Sequence, residues 1–291
     1  MPSRWRRWGS GVLLVSLLAY APVVLTKVIL YAYPTQMGMR AGLAAFLWSM
    51  TAWSLVTVLA RPSVYTPTEP LPVCVTVKRS NGAPRWCSKC ESPKPDRCHH
   101  CRFCRRCIVR MDHHCPWLMD TCIGQRNYKA FVLLLLYASL FCIYALETTV
   151  RACISLRIIN MPTTWIVLLT LVLFLSLVLT PFLGFHVYLM THNMTTLEFI
   201  EGMSHVRHKT SENETRAQLQ RLLPHTLSRR YYVYHVGALA NIRQALGRCV
   251  LLWWLPIGGP ALDLTYPINE AEFHAMQAEL QSRDASGAPM E

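Results

Sequence analysis

Four long apolar runs constrain this chain more than any other feature. They cover residues 11–33, residues 41–60, a stretch that begins at 130 and fades across 147–154, and residues 165 to about 190. Each approaches the ~20 residues with which an α-helix crosses ~30 Å of hydrocarbon. Buried helices of a soluble core would need a large polar shell around them, and this chain does not own one. Hydrophobic residues make up 52% of its 291 residues and charged residues 15%, against about 25% charged in soluble chains. The runs are therefore read as four membrane-spanning helices. Lys27 lies near enough to the end of the first to snorkel, and Pro181 and Gly184 are kink points in the fourth. Ala19-Tyr20-Ala21 resembles a signal-peptidase site, but the apolar run continues to Tyr33 and cleavage would strand a stub too short to span, so an uncleaved first helix is expected.

Charge placement orients the helices. Lys and Arg number 29 against 16 Asp and Glu, a net +13. Arg4, Arg6 and Arg7 precede the first run, thirteen basic residues lie in 61–129 and nine follow from 191, whereas the short joining loops hold only Arg40, Arg151 and Arg157. Positive charge stays on the cytoplasmic side, which places both termini and the 61–129 segment in the cytosol. The expected layout is thus 1–60 (N-terminal segment and helices 1–2), 61–129 (cytosolic domain), 130–190 (helices 3–4) and 191–291 (cytosolic tail). Endoplasmic reticulum, Golgi and plasma membrane all suit it. In such a tail the sequons Asn193-Met194-Thr195 and Asn213-Glu214-Thr215 should stay bare. Residues 61–86 are Pro-rich and read as a connector with one strand at 73–78. In the tail, the apolar patch 250–255 is too short to span and is expected to pack against the membrane face or the cytosolic domain, and the last ~10 residues read as disordered. A net positive charge also suits nucleic acid, but four spans and the lack of a recognition helix exclude that partner.

Nine of the twelve cysteines crowd between Cys74 and Cys122, interleaved with His99, His100, His113 and His114. Mixed Cys/His clusters mark metal sites and need reduced thiols, in agreement with a cytosolic face. Cys87-x2-Cys90 and Cys101-x2-Cys104-x2-Cys107 have zinc-knuckle spacing, in which a short turn brings two thiolates to one ion at ~2.3 Å. Two tetrahedral sites take eight ligands. Residues 87–122 offer eight cysteines and four histidines, so donors are left over. Asp112-His113-His114-Cys115 contains what an activated thiol requires: a nucleophile, an imidazole to take its proton and a carboxylate to hold the imidazole. In an extended strand, residues two apart share a face, so His113 would accompany Cys115 while His114 points away toward a metal. The alternative is that all of these are ordinary metal ligands, and spacing does not say what Cys115 would attack.

The run Pro95-x-Arg97-x2-His100-Cys101-x2-Cys104-x2-Cys107-x4-Asp112-His113-His114-Cys115-x-Trp117, continued by Gly124, Asn127 and Phe131, resembles the cysteine-rich domain of the DHHC protein S-acyltransferases. Thr195-Thr196-Leu197-Glu198 is similar to that family's TTxE motif, and Tyr234-x2-Gly237-x3-Asn241-x5-Gly247 to its C-terminal motif. The resemblance implies an α-helical multi-pass membrane protein, with four transmembrane helices and a zinc-binding domain between helices 2 and 3. It implies that Cys87, Cys90, His100 and Cys107 bind one structural zinc and Cys101, Cys104, His114 and Cys122 a second. Cys115 is then the nucleophile, His113 its base and Asp112 the polarising carboxylate, with Thr196 as a hydrogen-bond partner for Asp112. The implied reaction moves a long fatty acyl group, typically palmitoyl, from acyl-CoA to cysteines of membrane-associated proteins. Two departures stand out: Cys122 lies seven residues after Cys115, one more than is usual, and Asp120-Thr121 replaces the usual Asn-Asn.

Overall fold

The computed structural model describes residues 4–67, 85–157, 160–201, 232–257, 264, 266–275, 278 and 282. The strand expected at 73–78, Cys74, the sequon at Asn213 and residues 283–291 lie outside the described residues. Four long helices form: α1 (Arg4–Ala32), α2 (Met37–Ala60) after a 3-10 turn (Pro34–Gln36), α3 (Tyr128–Ser155) and α4 (Thr163–Thr191). All four are long and apolar enough to cross a membrane, and each overlaps one of the apolar runs. The chain is a multi-pass membrane protein.

α3 is central. It packs chiefly against α2 and α4, and 61% of its apolar window is buried against 11% in α4. Pro181 lies inside α4, and Pro22 lies inside α1. A proline has no N–H for the carbonyl four residues earlier, and hydrocarbon offers no water to replace it. Trp48 of α2 supplies the donor: its indole Nε1 bonds Leu18 O at 2.9 Å. At the bundle end remote from the Cys/His segment, Tyr33 donates to Thr148 O at 3.1 Å and Tyr144 to Arg40 O at 3.0 Å.

Between α2 and α3, three antiparallel two-stranded hairpins follow one another: β1 (Trp86–Cys87) with β2 (Ser92–Pro93), β3 (His99–Cys101) with β4 (Arg106–Ile108), and β5 (His113–Cys115) with β6 (Thr121–Ile123). Hairpins this small have too little apolar surface to stand alone. Asn127 fastens them to the membrane helices. Its side chain is fully buried; Oδ1 accepts from Gly124 N at 2.9 Å, and Nδ2 donates to Cys122 O at 3.0 Å and to Val58 O, in α2, at 3.3 Å. Gly124 has to be glycine, since a Cβ there would stand 2.7 Å from Val109 O and 2.9 Å from Ser63 Cβ.

After α4, the short helix α5 (Thr196–Glu201) starts with a reciprocal cap. Thr195 Oγ1 accepts from Glu198 N at 3.2 Å, and Glu198 Oε2 accepts from Thr195 N at 2.9 Å, the S/T-x-x-E arrangement that satisfies two free donors at once. The same Glu198 carboxylate grips Arg97 in a two-pronged pair, Nε–Oε1 2.8 Å and Nη2–Oε2 2.7 Å. Arg97 is 1% exposed, and the rings of Tyr234 and Tyr266 flank its guanidinium. Asn193, one of the two sequon asparagines, is also enclosed: it accepts from Arg97 and Arg110 and donates to Tyr234 O. No glycan fits there.

The tail helix α6 (Ala238–Leu246) is bounded by Gly237 and Gly247, both at positive φ. From it, Asn241 Nδ2 donates at 2.7 Å to Thr191 O, a free carbonyl at the end of α4. Beyond it, α3 side chains hold the apolar patch. Lys129 Nζ donates to Leu252 O and Ile257 O, and Tyr137 to Trp254 O, which leaves Leu251 and Trp254 exposed.

Removing one partner of a buried pair strands the other charge, at a cost of about 3–5 kcal/mol, whereas replacing both by apolar groups is far milder. Glu198→Ala is therefore expected to lower the thermal midpoint of the detergent-solubilised chain sharply, and Arg97→Met/Glu198→Leu to recover much of the loss. Equal losses in a melting comparison would refute this role.

Candidate active site and metal centres

Two groups of four donors converge among the hairpins. Cys87, Cys90, His100 and Cys107 place their ligand atoms within 4.8 Å of one another, as do Cys101, Cys104, His114 and Cys122. Zinc–sulfur and zinc–nitrogen bonds of about 2.3 and 2.05 Å around a tetrahedral ion imply sulfur–nitrogen edges of about 3.6 Å and sulfur–sulfur edges of about 3.8 Å. The observed edges match. His100 Nδ1 lies 3.4, 3.3 and 3.9 Å from the sulfurs of Cys87, Cys90 and Cys107. His114 Nδ1 lies 3.6, 3.5 and 3.5 Å from those of Cys101, Cys104 and Cys122, with Cys104 and Cys122 3.4 Å apart. Three thiols and an imidazole are a donor set suited to zinc, and four protein ligands leave it no open position for bound water.

The local backbone explains the convergence. The Cys87-x2-Cys90 and Cys101-x2-Cys104 turns each end in a residue in the left-handed region, Glu91 at φ 48° after Cys90 and Arg105 at φ 53° after Cys104. For residues other than glycine this costs of order 1–3 kcal/mol and persists only where the surroundings impose it; here the shared donor cluster imposes it. The extra residue before Cys122 is absorbed in the β5–β6 turn, where Met119 and Asp120 both take positive φ. The register still sets His114 opposite Cys122. Asp120, in the place of the usual asparagine, lies 3.6 Å from His114 Nε2, the ring edge turned away from the sulfurs.

Strand alternation separates the neighbouring histidines. In β5, His113 and Cys115 share one side and His114 takes the other, where it joins the second donor group. Cys115 belongs to neither group. Its buried sulfur packs in an apolar cluster to which all four spans contribute, with Leu14 and Leu18 of α1, Leu55 and Val58 of α2, Phe131 of α3 and Phe182 of α4 among its members. His113 Nδ1 donates to Asp112 Oδ2 at 2.7 Å. Asp112 is 1% exposed and also accepts from Thr196 N at 2.9 Å and Thr196 Oγ1 at 2.8 Å. Burial alone would lower the His113 pKa, but hydrogen bonds to Asp112 and Cys115 outweigh it and raise the value to about 9. Burial pushes the Asp112 carboxyl up, and the bond and charge of His113, helped by the Thr196 amide, bring it below its usual range.

Two donors stand apart. His99 joins neither group, and burial with nearby Arg85 holds its imidazole neutral, down to about 4. Cys98 is buried beside Cys87 and Cys107 as a small apolar side chain. Spacing missed three residues that border the site. Arg97 and Glu198 were visible only as motif positions, and His186 was hidden inside an apolar run; a histidine in a membrane span is the one signal that could have marked it.

A family model described as DHHC palmitoyltransferase matches residues 80–203. The palmitoyltransferase Pfa3 of Emericella nidulans is 44% identical over 134 residues, 44% of this chain and 26% of that one. The human palmitoyltransferase ZDHHC2 is 33% identical over 188 residues, 63% of this chain and 46% of that one. The palmitoyltransferase ZDHHC15 of Xenopus laevis is 32% identical over 205 residues, 68% and 54% of the two chains. The chain thus spans from a quarter to about half the length of the curated relatives it matches.

Cys101→Ser removes a donor from the second group alone. Metal content of the purified chain, read by inductively coupled plasma mass spectrometry, is expected to fall by about one ion per chain. An unchanged count would break the assignment of this group.

Proposed function

The chain belongs to the DHHC palmitoyltransferase family, and from that membership we propose that it is a protein S-acyltransferase working through an acyl-Cys115 intermediate. The observation that carries the reading is the position of Cys115: outside both donor groups, next to His113, with its sulfur on the apolar cluster of the four spans. A nucleophile that must meet a fatty thioester belongs at such a boundary. The acyl chain lies among the helices, where each buried CH2 contributes ~0.8 kcal/mol, and its thioester sits level with β5.

His113 takes the thiol proton on Nε2, the ring nitrogen left free by the Nδ1 bond to Asp112. The Cys115 thiolate attacks the thioester carbonyl, the carbonyl–sulfur bond to CoA breaks, and CoA leaves as its thiol with the proton from His113. In the second half, His113 deprotonates a substrate cysteine, whose thiolate takes the acyl group and returns the Cys115 thiol. One thioester is exchanged for another in each half, so neither needs much driving force. Asp112, held by Thr196, keeps the imidazole oriented and steadies its protonated form. Two structural zinc ions, one in each donor group, hold the hairpins and take no part in the exchange. Arg102, Arg105, Arg106 and Arg126 are exposed and suit the phosphates of CoA. The Cys/His segment, the residues before α1 and those after α4 face the cytosol, where acyl-CoA and reduced thiols are found, and the protein substrates are membrane-associated chains with accessible cysteines.

With labelled palmitoyl-CoA, the full chain in detergent is expected to acquire a hydroxylamine-sensitive label, and mass spectrometry to locate it on Cys115. Cys115→Ser should abolish the label and all transfer while metal content stays unchanged; persistent transfer would sink the assignment. His113→Ala should slow acylation about 100-fold or more, and an unchanged rate would remove its role as base.

A further inference from the structure

The proposed machinery makes no use of a fully buried imidazole on α4. His186 lies one turn before the end of α4, the least buried of the four spans, yet its own side chain is 0% exposed. Phe182 and Phe131 enclose it, at ring-centroid distances of 4.6 and 5.0 Å. The same two rings stand beside His113, at 6.5 and 5.3 Å, and the two imidazoles are 6.1 Å apart. A carboxylate oxygen of Asp112 and one ring nitrogen of each histidine all lie within 4.8 Å of one another. Nδ1 of His186 has the Tyr128 hydroxyl at 3.3 Å. Nε2 is buried and has no hydrogen-bond partner among the described residues.

A phenylalanine or leucine would fill this aromatic box with no polar atom left over. A polar group in a membrane span is expensive and calls for a functional partner. The Asp112–His113 pair is the polar feature that shares its walls. A third metal centre is the rival, but the Asp112 oxygens already accept three hydrogen bonds, from His113 Nδ1, Thr196 N and Thr196 Oγ1, and an ion would have to displace them.

We propose that His186 is a positioning residue for acyl transfer: its Nε2 bonds the Asp112–His113 pair, directly or through one water, and holds the His113 imidazole aimed at Cys115. This rests on the S-acyltransferase reading. The Tyr128 hydroxyl lies 3.3 Å from Nδ1 and 3.4 Å from the His186 carbonyl oxygen; when its one proton goes to Nδ1, the single N–H of the neutral imidazole is on Nε2, ready for the carboxylate. Two hydrogen bonds through one water span the distance found here, and such a bridge is nearly as strong as a direct bond. His113 changes charge in each half-reaction between two apolar rings, which give it no directional contact. On the side away from Cys115, Asp112 and its donors supply one.

The test follows Cys115 acylation by labelled palmitoyl-CoA, with metal content and melting temperature, in the full chain in detergent. His186→Phe keeps the ring shape and loses both nitrogens. His186→Gln places an amide near the position of Nε2, and His186→Asn near that of Nδ1. His186→Phe is expected to acylate about 10-fold slower with metal content unchanged, His186→Gln to regain most of the rate and His186→Asn to stay slow. Wild-type rates in His186→Phe, equal rates in His186→Gln and His186→Asn, or loss of one metal ion per chain in His186→Phe would overturn the proposal. Should His186→Phe fail to fold, the Gln-to-Asn comparison decides alone. A wild-type chain that never labels at Cys115 would refute the acyltransferase reading instead.

Discussion

Arg97 falls between the first and second hairpins in the chain, and its guanidinium is sealed from water and paired with a carboxylate that follows α4. A lone charge in that place would be intolerable, since the effective penalty for burying an ion is several kcal/mol even after relaxation. The two prongs to Glu198, the bonds to Asn193 and the flanking rings of Tyr234 and Tyr266 make it tenable. Burial works against the charge of Arg97, yet Glu198 raises its pKa further, and the carboxyl of Glu198 is held below its ordinary range against the same burial. Arg110, which shares Asn193 but has no carboxylate of its own among the described contacts, is pushed down to about 10 by burial. The pair fixes how the Cys/His segment sits on the end of α4. Because Thr196 opens the same short helix as Glu198, it also fixes the carboxylate of Asp112 and, through it, the ring of His113.

Within the segment, shared donors do the work that a hydrophobic core does elsewhere. Three hairpins of two or three residues per strand cannot hold themselves together, and the backbone is bent into left-handed conformations at non-glycine positions to let the donors converge. A metal ion bound by such a donor set would return that strain as binding energy and couple folding to metal loading. The eight donors close on themselves and leave the thiols of Cys98 and Cys115 aside. Alternation along β5 places the second: His114 turns to the donor group, while His113 and Cys115 turn together toward the helices.

The membrane side completes the placement. α3 forms the axis of the bundle, and its first turns carry the fastenings, Asn127 to the hairpins and Lys129 and Tyr137 to the tail. The Cys115 sulfur is thereby held where polar hairpins meet apolar helix ends, with phenylalanine from α3 and α4 in the same cluster. That boundary is the place where a fatty chain and a polar thioester can be met at once.

Hydropathy alone determined the four spans, because crossing hydrocarbon is a demand on each helix separately and needs no knowledge of its neighbours. Cys-x2-Cys spacing and strand alternation determined the donor pairs and the company of His113 and Cys115, again through geometry only a few residues long. Tertiary structure decided the rest. Asn193 reads as a sequon and proves to be a buried junction for two arginines; His186 reads as part of an apolar run and proves to border the Asp112–His113 pair; Arg97 and Glu198 read as separate motif letters although they meet across 101 positions. None of these leaves a periodic trace, because a buried polar group is satisfied by whichever partner the fold brings to it, and that partner's place in the chain is set by the path of the backbone rather than by local pattern.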